Sequence, residues 1–337
     1  MYFRRGISIA TLLVTLFHQT ASVQAQCNAP SLRKEWRELS DPEKQDYHKS
    51  VRCLMNKPKE RYPDESSVVT RLDDLTYTHD KLATIIHNVA NFLPWHRMLV
   101  HEHENLLRSQ CGYKGPYPYW DWTLDADANA VPTSPVWDAV LGFGGNGVPT
   151  GNMTAGFKSC VIDGPYANTT LTIGAPTTQT GPEDSPHCLI REWNNGRQDA
   201  NGNWIIGDMA KSSYNTPVLR QIYSSTNYFD FEWRLENGPH AYLHNRIGGD
   251  MRPHTAPNDP IFYLHHANID RIWAKWQGDN VTRLHADYSG WNDMWHTQRA
   301  SINDTMPILH LLDSQVTVRD YMNPQGGRLC YQYTDSS

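Results

Sequence analysis

The chain has 337 residues, of which 39% are hydrophobic and 20% charged, so it can bury a large core and is neither a disordered segment nor a fibrous repeat. Lysine and arginine number 30 against 36 aspartate and glutamate, and the net charge of -6 has the wrong sign for binding a phosphate backbone. We therefore predict no nucleic-acid partner. The sequence also has 16 histidines, and imidazole is the commonest protein ligand for transition metals.

Residues 1–25 have the pattern of a secretory signal peptide. Two arginines precede an apolar run at residues 7–17, and small residues end at Ala25. The run is too short for a bilayer, which needs about 20 apolar residues, and no later stretch is comparable. We therefore predict a secreted protein with cleavage near Ala25, no membrane association, and one domain over residues 26–337.

Cysteines and glycosylation motifs agree with export. An even number of cysteines in an exported chain favours three disulfides, whose pairing the sequence leaves open; they are Cys27, Cys53, Cys111, Cys160, Cys188 and Cys330. Four Asn-x-Thr motifs predict N-glycosylation at Asn152, Asn168, Asn280 and Asn303.

The elements predicted along the chain are mainly helices. Ser40 followed by Pro42 and Glu43 predicts the start of a helix over residues 42–55. The other helical patterns lie at residues 94–108, 217–235, 240–246 and 259–277, the last with Asp259 as a capping residue and Pro260 in the first turn. Residues 124–210 are predicted to form long loops joined by disulfides. No repeat and no shift in composition divides the chain, so we predict a single mainly α domain with little β structure.

Two groups of histidines could bind metal. His240 and His244 are one helical turn apart on the same face, which is how a helix offers two ligands to one ion, although such a pair is also common on solvated faces. His79, His87 and His96 are spaced by eight and nine residues and cannot share one helix face. We therefore predict that a loop brings His79 and His87 to the helix of His96.

A shared arrangement links the two groups. Phe92 precedes His96 by four residues, and Phe262 precedes His266 by four, each near a predicted helix start. Two helices of similar design indicate a paired site with two metal centres, each held by three histidines.

Four runs in the sequence resemble the type-3 copper family of tyrosinases, catechol oxidases and haemocyanins. They are Phe-Leu-Pro-Trp-His-Arg at 92–97, Pro-Tyr-Trp-Asp-Trp at 118–122, Leu-Glu-Asn-Gly-Pro-His-Ala-Tyr-Leu-His at 235–244, and Asn-Asp-Pro-Ile-Phe-Tyr-Leu-His-His-Ala-Asn-Ile-Asp-Arg-Ile-Trp at 258–273. The resemblance implies a four-helix-bundle core that holds a binuclear site.

The same resemblance implies which histidines bind the two copper ions. One ion takes His79, His87 and His96, and the other takes His240, His244 and His266. His266 is preferred over His265 because the family ligand stands four residues before the aspartate, here Asp270; His265 is then a packed neighbour.

The C-terminal motif and the second ligand position also bear on the type of enzyme. Tyr331-Gln-Tyr333 is similar to the Tyr-x-Tyr that closes the family's core domain, which implies the short, secreted fungal form without a C-terminal lid domain. The position two residues before His87 is Ile85 rather than cysteine, so no Cys–His crosslink is expected.

The family's activity implies small phenolic substrates and O2. The expected reaction converts o-diphenols to o-quinones, with o-aminophenols and monophenols as further substrates, in pigment or secondary-metabolite formation. Glu236 matches the glutamate that orients a water as base in monophenol-hydroxylating members. The residue after His240 is Ala241 rather than their asparagine, so we predict that diphenol oxidation exceeds monophenol hydroxylation. Phe92 and Phe262 would wall the site and keep it dry.

Two other functions use the same ligands. A non-redox enzyme of a secondary-metabolite pathway could hold zinc as a Lewis acid, since imidazole accepts zinc equally well. A haemocyanin-like O2 binder is the other, but such carriers are usually parts of very large assemblies. The oligomeric state is left open.

The remaining histidines and the tryptophans are given structural roles. We predict that His101 and His103 are surface groups and that His254 lines the mouth of the site. No role is assigned to His48, His187, His285, His296 and His310. The tryptophans predicted in the core are Trp36, Trp95, Trp120, Trp122 and Trp273. Asp270 and Arg271 are expected to orient ligands or to bridge helices.

Overall fold

The structure is a computed structural model that describes residues 27–150, 158–174, 186–193, 200, 209 and 211–334. The predicted signal peptide and Asn152 lie outside the described residues. Among the helices that are described, none has both the length and the apolar character needed to cross a membrane.

The described residues are mainly helical, as predicted. The helices are α1 (Asp41–Asn56), α2 (Arg71–Ile86), α3 (Phe92–Cys111), α4 (Trp122–Asp127), α5 (Thr216–Tyr223), α6 (Tyr228–Leu235), α7 (Ala241–Ile247), α8 (Ile261–Gly278) and α9 (Val281–His285). The strands are β1 (Ser31–Glu35), β2 (Tyr117–Tyr119), β3 (Val148–Thr150), β4 (Lys158–Cys160), β5 (Thr170–Leu171), β6 (His187–Cys188) and β7 (Tyr331–Tyr333).

The core is built on long helices packed against one another. Helix α3 packs on α8 and α1, and α2 packs on both α1 and α3. Their interior is strongly aromatic, and the five tryptophans predicted in the core are fully buried. Each buries a large apolar surface, which makes this region the main hydrophobic contribution to stability.

The helix starts read from the sequence are confirmed. The Glu43 carboxylate accepts the Ser40 backbone N–H at 2.8 Å, closing the capping arrangement at the start of α1. Asp259 accepts the Ile261 N–H at 3.2 Å where α8 begins. Helix α3 ends at Gly112, whose φ of 72° lies in the left-handed region that favours glycine.

Helix α2 was not predicted, and the prediction of a loop around His79 is wrong. His79 lies within α2, and His87 is the residue that ends this helix. The apolar residues of α2 do not recur at regular helical spacing, because the helix also buries polar side chains, among them Asp73, Asp74 and Thr78. The start could have been read from Thr70 and Asp73, which form a capping arrangement.

Two other elements differ from the prediction. The helical pattern at residues 217–235 is two helices, α5 and α6, separated by a break at residues 224–227. Strand β1 was not predicted; it lies in a parallel three-stranded sheet of order β2-β1-β7. This sheet joins the two ends of the described chain.

Three disulfides form, as predicted. They are Cys27–Cys330, Cys53–Cys111 and Cys160–Cys188. The first links residues 303 positions apart next to the β1–β7 pair, and the third joins two short strands of the long-loop region. Each constrains the unfolded chain and so stabilises the folded state.

Asp270 is the buried ionic centre that fixes α8. Its carboxylate pairs with Arg97 of α3 and with Arg33 of β1, and it accepts the hydroxyls of Tyr331 and Tyr333 of β7 at 2.5 and 2.6 Å. Burial by itself would raise the pKa of Asp270, but the two guanidinium groups outweigh it and hold the pKa below its usual value. The predicted bridging role of Asp270 is confirmed.

The prediction that His101 and His103 are surface groups is wrong. His103 is fully buried; its ring stacks on Tyr263 at 3.6 Å between centroids, and its Nδ1 lies 2.7 Å from the Tyr117 hydroxyl. His101 is half-buried, and burial lowers its pKa to about 4. The neighbouring glutamates gave a polar pattern, but β2 and α8 cover this face of α3.

Candidate metal centre

The first histidine cluster is formed where α2 ends and α3 begins. His79 comes from α2, His87 follows the end of that helix, and His96 lies in the second turn of α3. Between the helices, Asn88 has a φ of 56°, a left-handed conformation that asparagine tolerates better than most residues. One ring nitrogen from each of the three histidines lies within 4.8 Å of the others.

The second cluster is built on a break between α6 and α7. A single π-helical turn, Glu236–His240, joins the two helices, with a non-helical residue at Gly238 and a proline at 239. It leaves His240 and His244 one turn apart, and α8 adds His265 and His266. Ring nitrogens of these four histidines also lie within 4.8 Å of one another.

Backbone carbonyls hold most of these rings in one tautomer. The Nδ1 atoms of His79, His96 and His244 lie 2.6, 2.8 and 2.6 Å from the carbonyl oxygens of residues 254, 92 and 251. Those of His87 and His240 lie 3.0 and 3.1 Å from the carbonyls four residues earlier. A carbonyl accepts but cannot donate, so Nδ1 carries the proton and Nε2 has a free lone pair.

The resulting lone pairs fit a bound cation in each cluster. The Nε2 atoms of His79 and His96 are 3.2 Å apart, and those of His244 and His266 are also 3.2 Å apart. The Nδ1 atoms of His79 and His96 both face carbonyls, so their Nε2 lone pairs repel at this distance unless a metal ion lies between them. Nδ1 of His266 has no described partner, and its Nε2 offers a lone pair to a metal when Nδ1 carries the proton. Burial lowers the pKa of His87 and His244 to about 4, so the rings are neutral at pH 7, the form that binds metals. Hydrogen bonds from Nδ1 to carbonyls are typical of metal-bound histidines.

The second cluster contains four histidines, one more than the three ligands expected for a metal ion there. His265 is fully buried, and neither of its ring nitrogens has a hydrogen-bond partner in the described part of the chain. Its ring is parallel to that of His240 at 5.6 Å. His266 lies between the clusters, with its ring stacked on that of His96 at 4.5 Å and its Nε2 facing His244. This position favours His266 as the ligand.

Two phenylalanines lie beside both clusters, and both are fully buried. The ring of Phe92 is 4.6 Å from each of His96 and His240. The ring of Phe262 is 4.1 Å from His266 and 5.3 Å from His79. They exclude water from the sides of the site and fix the imidazole rings.

A cleft of about 210 Å³ opens onto the histidines. His79, His87, His240 and His244 face it from below. Arg252 and His254 line it and are exposed, as predicted for His254. Since a cavity of roughly 150 Å³ can hold benzene, the cleft has room for one aromatic ring. Sequence reasoning missed Arg252, Asn88 and Asn237, because exposed polar residues in loops carry no periodic signal.

Among the residues that the structure describes, Glu236 is the one carboxyl group that lines this cleft. Only 3% of the surface of this residue is exposed to solvent, and its Oε1 accepts the Asn88 N–H at 2.8 Å. Burial raises the pKa of Glu236 to about 7. A carboxyl group with a pKa close to 7 can accept a proton from a bound hydroxyl near neutral pH. Ala241 and Asn245 line the same cleft.

The comparisons with known proteins agree with this geometry. The family model for the common central domain of tyrosinase matches residues 65–279, a range that contains all seven histidines of the two clusters. This chain belongs to the tyrosinase family. The family implies a binuclear copper site, and the two clusters offer imidazole nitrogens, which are donors that suit copper.

Fungal relatives share most of the length of this family member. A tyrosinase-like protein of Diaporthe leptostromiformis, phomQ1', is 38% identical over 330 residues, which are 95% of this chain and 84% of the relative. N-acetyl-6-hydroxytryptophan oxidase ivoB of Emericella nidulans is 30% identical over 368 residues, covering 97% and 98%. A variant of polyphenol oxidase from Thermothelomyces thermophila superposes with a TM-score of 0.77 and 27% identity, covering 92% of this chain and 91% of that one.

Proposed function

We propose that this tyrosinase-family member is a binuclear copper oxidase that converts o-diphenols to o-quinones with O2. His79, His87 and His96 would hold one copper ion, and His240, His244 and His266 the other. The observation that carries the proposal is the pair of 3.2 Å contacts between Nε2 atoms, one in each cluster. Neutral imidazoles suit copper in both oxidation states, and the bound metal pair supplies the two-electron exchange with O2.

The protein's own residues bind and orient the substrate. The phenolic ring enters the cleft between Ala241 and His254, above the histidines of both clusters. Phe92 and Phe262 keep water from the sides of the site. Glu236, held by the Asn88 N–H, is placed to accept a hydroxyl proton at its carboxylate.

The cleft favours diphenols over monophenols. A monophenol has to lose its proton before it can react, which requires a base oriented by further hydrogen-bond donors. The side chain after His240 is the methyl group of Ala241, and the amide of Asn245 donates to the Ala241 carbonyl at 2.8 Å. No second amide is thus directed at Glu236 from residue 241, and we expect slow monophenol hydroxylation.

Oxygen consumption by the copper-loaded protein tests this function. We expect O2 uptake and quinone formation with catechol at once, and slower uptake after a lag with phenol. The double variant His79→Ala, His240→Ala is the control and should be inactive with both. Equal rates without a lag would contradict the preference, and a zinc-loaded protein that acts on a phenolic substrate without consuming O2 would contradict the oxidase.

We also propose that the protein is secreted and glycosylated. Its three disulfides suit an oxidising compartment, and the asparagines of three motifs, Asn168, Asn280 and Asn303, are exposed. Mass spectrometry of the protein collected from the culture medium tests this. We expect an N-terminus near Gln26 and a fall in mass on enzymatic removal of N-glycans; intracellular retention with residues 1–25 intact would contradict the proposal.

A further inference from the structure

Two carboxyl side chains are buried side by side beneath the cleft. Glu232 of α6 and Glu236 of the π-helical turn are one turn apart, and their residues are 2% and 3% exposed. Oε1 of Glu232 and Oε2 of Glu236 are buried and have no hydrogen-bond partner among the residues that the structure describes. Neither glutamate forms an ion pair with a described lysine or arginine.

This arrangement requires a proton between the two groups. Two ionised carboxylates in contact at a buried site repel strongly, so one of the pair stays protonated. Each group also has one buried oxygen without a described partner, and a carboxyl group can donate a hydrogen bond to a carboxylate only in its acid form.

The surroundings place the proton on Glu232. Glu236 already accepts the Asn88 N–H, which stabilises its charged form. The titratable groups that interact with Glu232 are Tyr228 on the same helix, Glu236 in the π-helical turn and Tyr288 from a more distant part of the chain, and none of them is a cation. Burial, and then the charge of Glu236, raise the pKa of Glu232 well above its usual value.

We propose that Glu232 is a positioning residue, a carboxylic acid that donates a hydrogen bond to Glu236 and, with the Asn88 N–H, holds the Glu236 carboxylate towards the cleft. The Asn88 N–H holds Oε1 of Glu236, and Oε2, which is buried and has no described partner, is the oxygen that would accept the bond from Glu232. The carboxylate then faces a bound phenol without having to be reoriented in each turnover. This inference rests on the proposed function, in which Glu236 accepts the hydroxyl proton.

A comparison of Glu232→Leu with Glu232→Gln tests the role. Leucine fills a similar volume but cannot donate, whereas the glutamine amide can donate to Glu236. For Glu232→Leu we expect kcat for monophenol to fall roughly 10- to 100-fold with KM nearly unchanged, because a base is lost only in part. The copper content should stay near wild type, and the catechol rate should fall by a smaller factor than the monophenol rate. Glu232→Gln should restore most of the monophenol rate.

Asp230→Asn is the matched control. Asp230 lies on the same helix, but its carboxylate is partly exposed and pairs with Arg234 at 2.8 Å, so its loss should leave both rates unchanged. An equal loss of both activities in Glu232→Leu, no loss at all, or a Gln variant as impaired as the Leu variant would overturn the positioning role.

Infrared spectroscopy of the metal-free protein gives a readout that does not depend on turnover. At pH 7 the wild type should show the C=O stretch of a protonated carboxyl group that is missing from Glu232→Gln. An identical spectrum would contradict the acid form of Glu232. If the band is present but the copper-loaded wild type consumes no O2 with catechol, the oxidase proposal fails while the carboxyl pair stands.

Discussion

The Nε2 atoms of His79 and His96 lie 3.2 Å apart, although each ring has its Nδ1 directed at a backbone carbonyl. The carbonyls keep protons off Nε2, so no hydrogen bond can relieve the contact between the two lone pairs. This repulsion lowers the free energy of unfolding of the metal-free protein, and a metal ion bound between the two atoms would remove it.

Metal removal should therefore destabilise the protein. At a free metal concentration of 1,000 times the Kd, binding to the folded state contributes about 4 kcal/mol. We expect the melting temperature to fall on chelation and to recover when copper is added back. The variant His285→Gln, which changes an exposed histidine, should respond as the wild type does; a melting temperature unaffected by chelation would count against a built metal site.

Acid should destabilise the fold through His103. Burial lowers the pKa of His103 to about 3, well below the ordinary value of about 6.5. Below pH 6.5 the unfolded chain therefore binds more protons than the folded chain, and stability falls as the pH falls. At pH 5 this one group accounts for a loss of about 2 kcal/mol.

The variant His103→Phe should show a smaller loss between pH 7 and pH 5. Phenylalanine keeps the stack on Tyr263 but does not titrate. Urea unfolding at the two pH values measures the difference, with His285→Gln as the control. A loss as large as that of the wild type would rule out His103 as a source of acid sensitivity.

Loss of the Asp270 charge should destabilise the core. Asp270→Asn leaves Arg97 and Arg33 buried without their shared carboxylate, and removal of one partner of a buried ion pair costs about 3 to 5 kcal/mol. Urea unfolding measures the change. Asp64→Asn, at an exposed position, should stay within about 0.5 kcal/mol of wild type, and a similar result for Asp270→Asn would show that the network adds little.

An asparagine at residue 241 should favour monophenols. Ala241 lines the cleft beside Glu236, and an amide there could hold a water against the carboxylate. We expect Ala241→Asn to raise the ratio of monophenol to diphenol turnover about tenfold or more. Ala241→Leu has the same shape without the amide and should not raise it. An unchanged ratio in Ala241→Asn would show that residue 241 does not determine the preference for diphenols over monophenols.

The parts of the site that depend on local geometry were predictable from the sequence. His240 and His244 lie one turn apart because the helical period places them so, and the starts of α1 and α8 follow from their capping residues. Helix α2 was not predicted because Asp73 and Asp74, which are buried, interrupt the apolar pattern on its inner face. The burial of His103 depends on Tyr263 and Tyr117, which belong to other elements of the fold. Glu232 and Glu236 are one helical turn apart, but periodicity does not report that such polar side chains are buried.

Counting copper ions per chain tests the central claim most directly. The wild type and the variants His266→Asn and His265→Asn, each purified and loaded in the same way, should be measured by elemental analysis. The ligand set proposed here predicts two copper ions in the wild type and in His265→Asn, and about one in His266→Asn. Zinc in place of copper in the wild type, or loss of an ion in His265→Asn but not in His266→Asn, would contradict it.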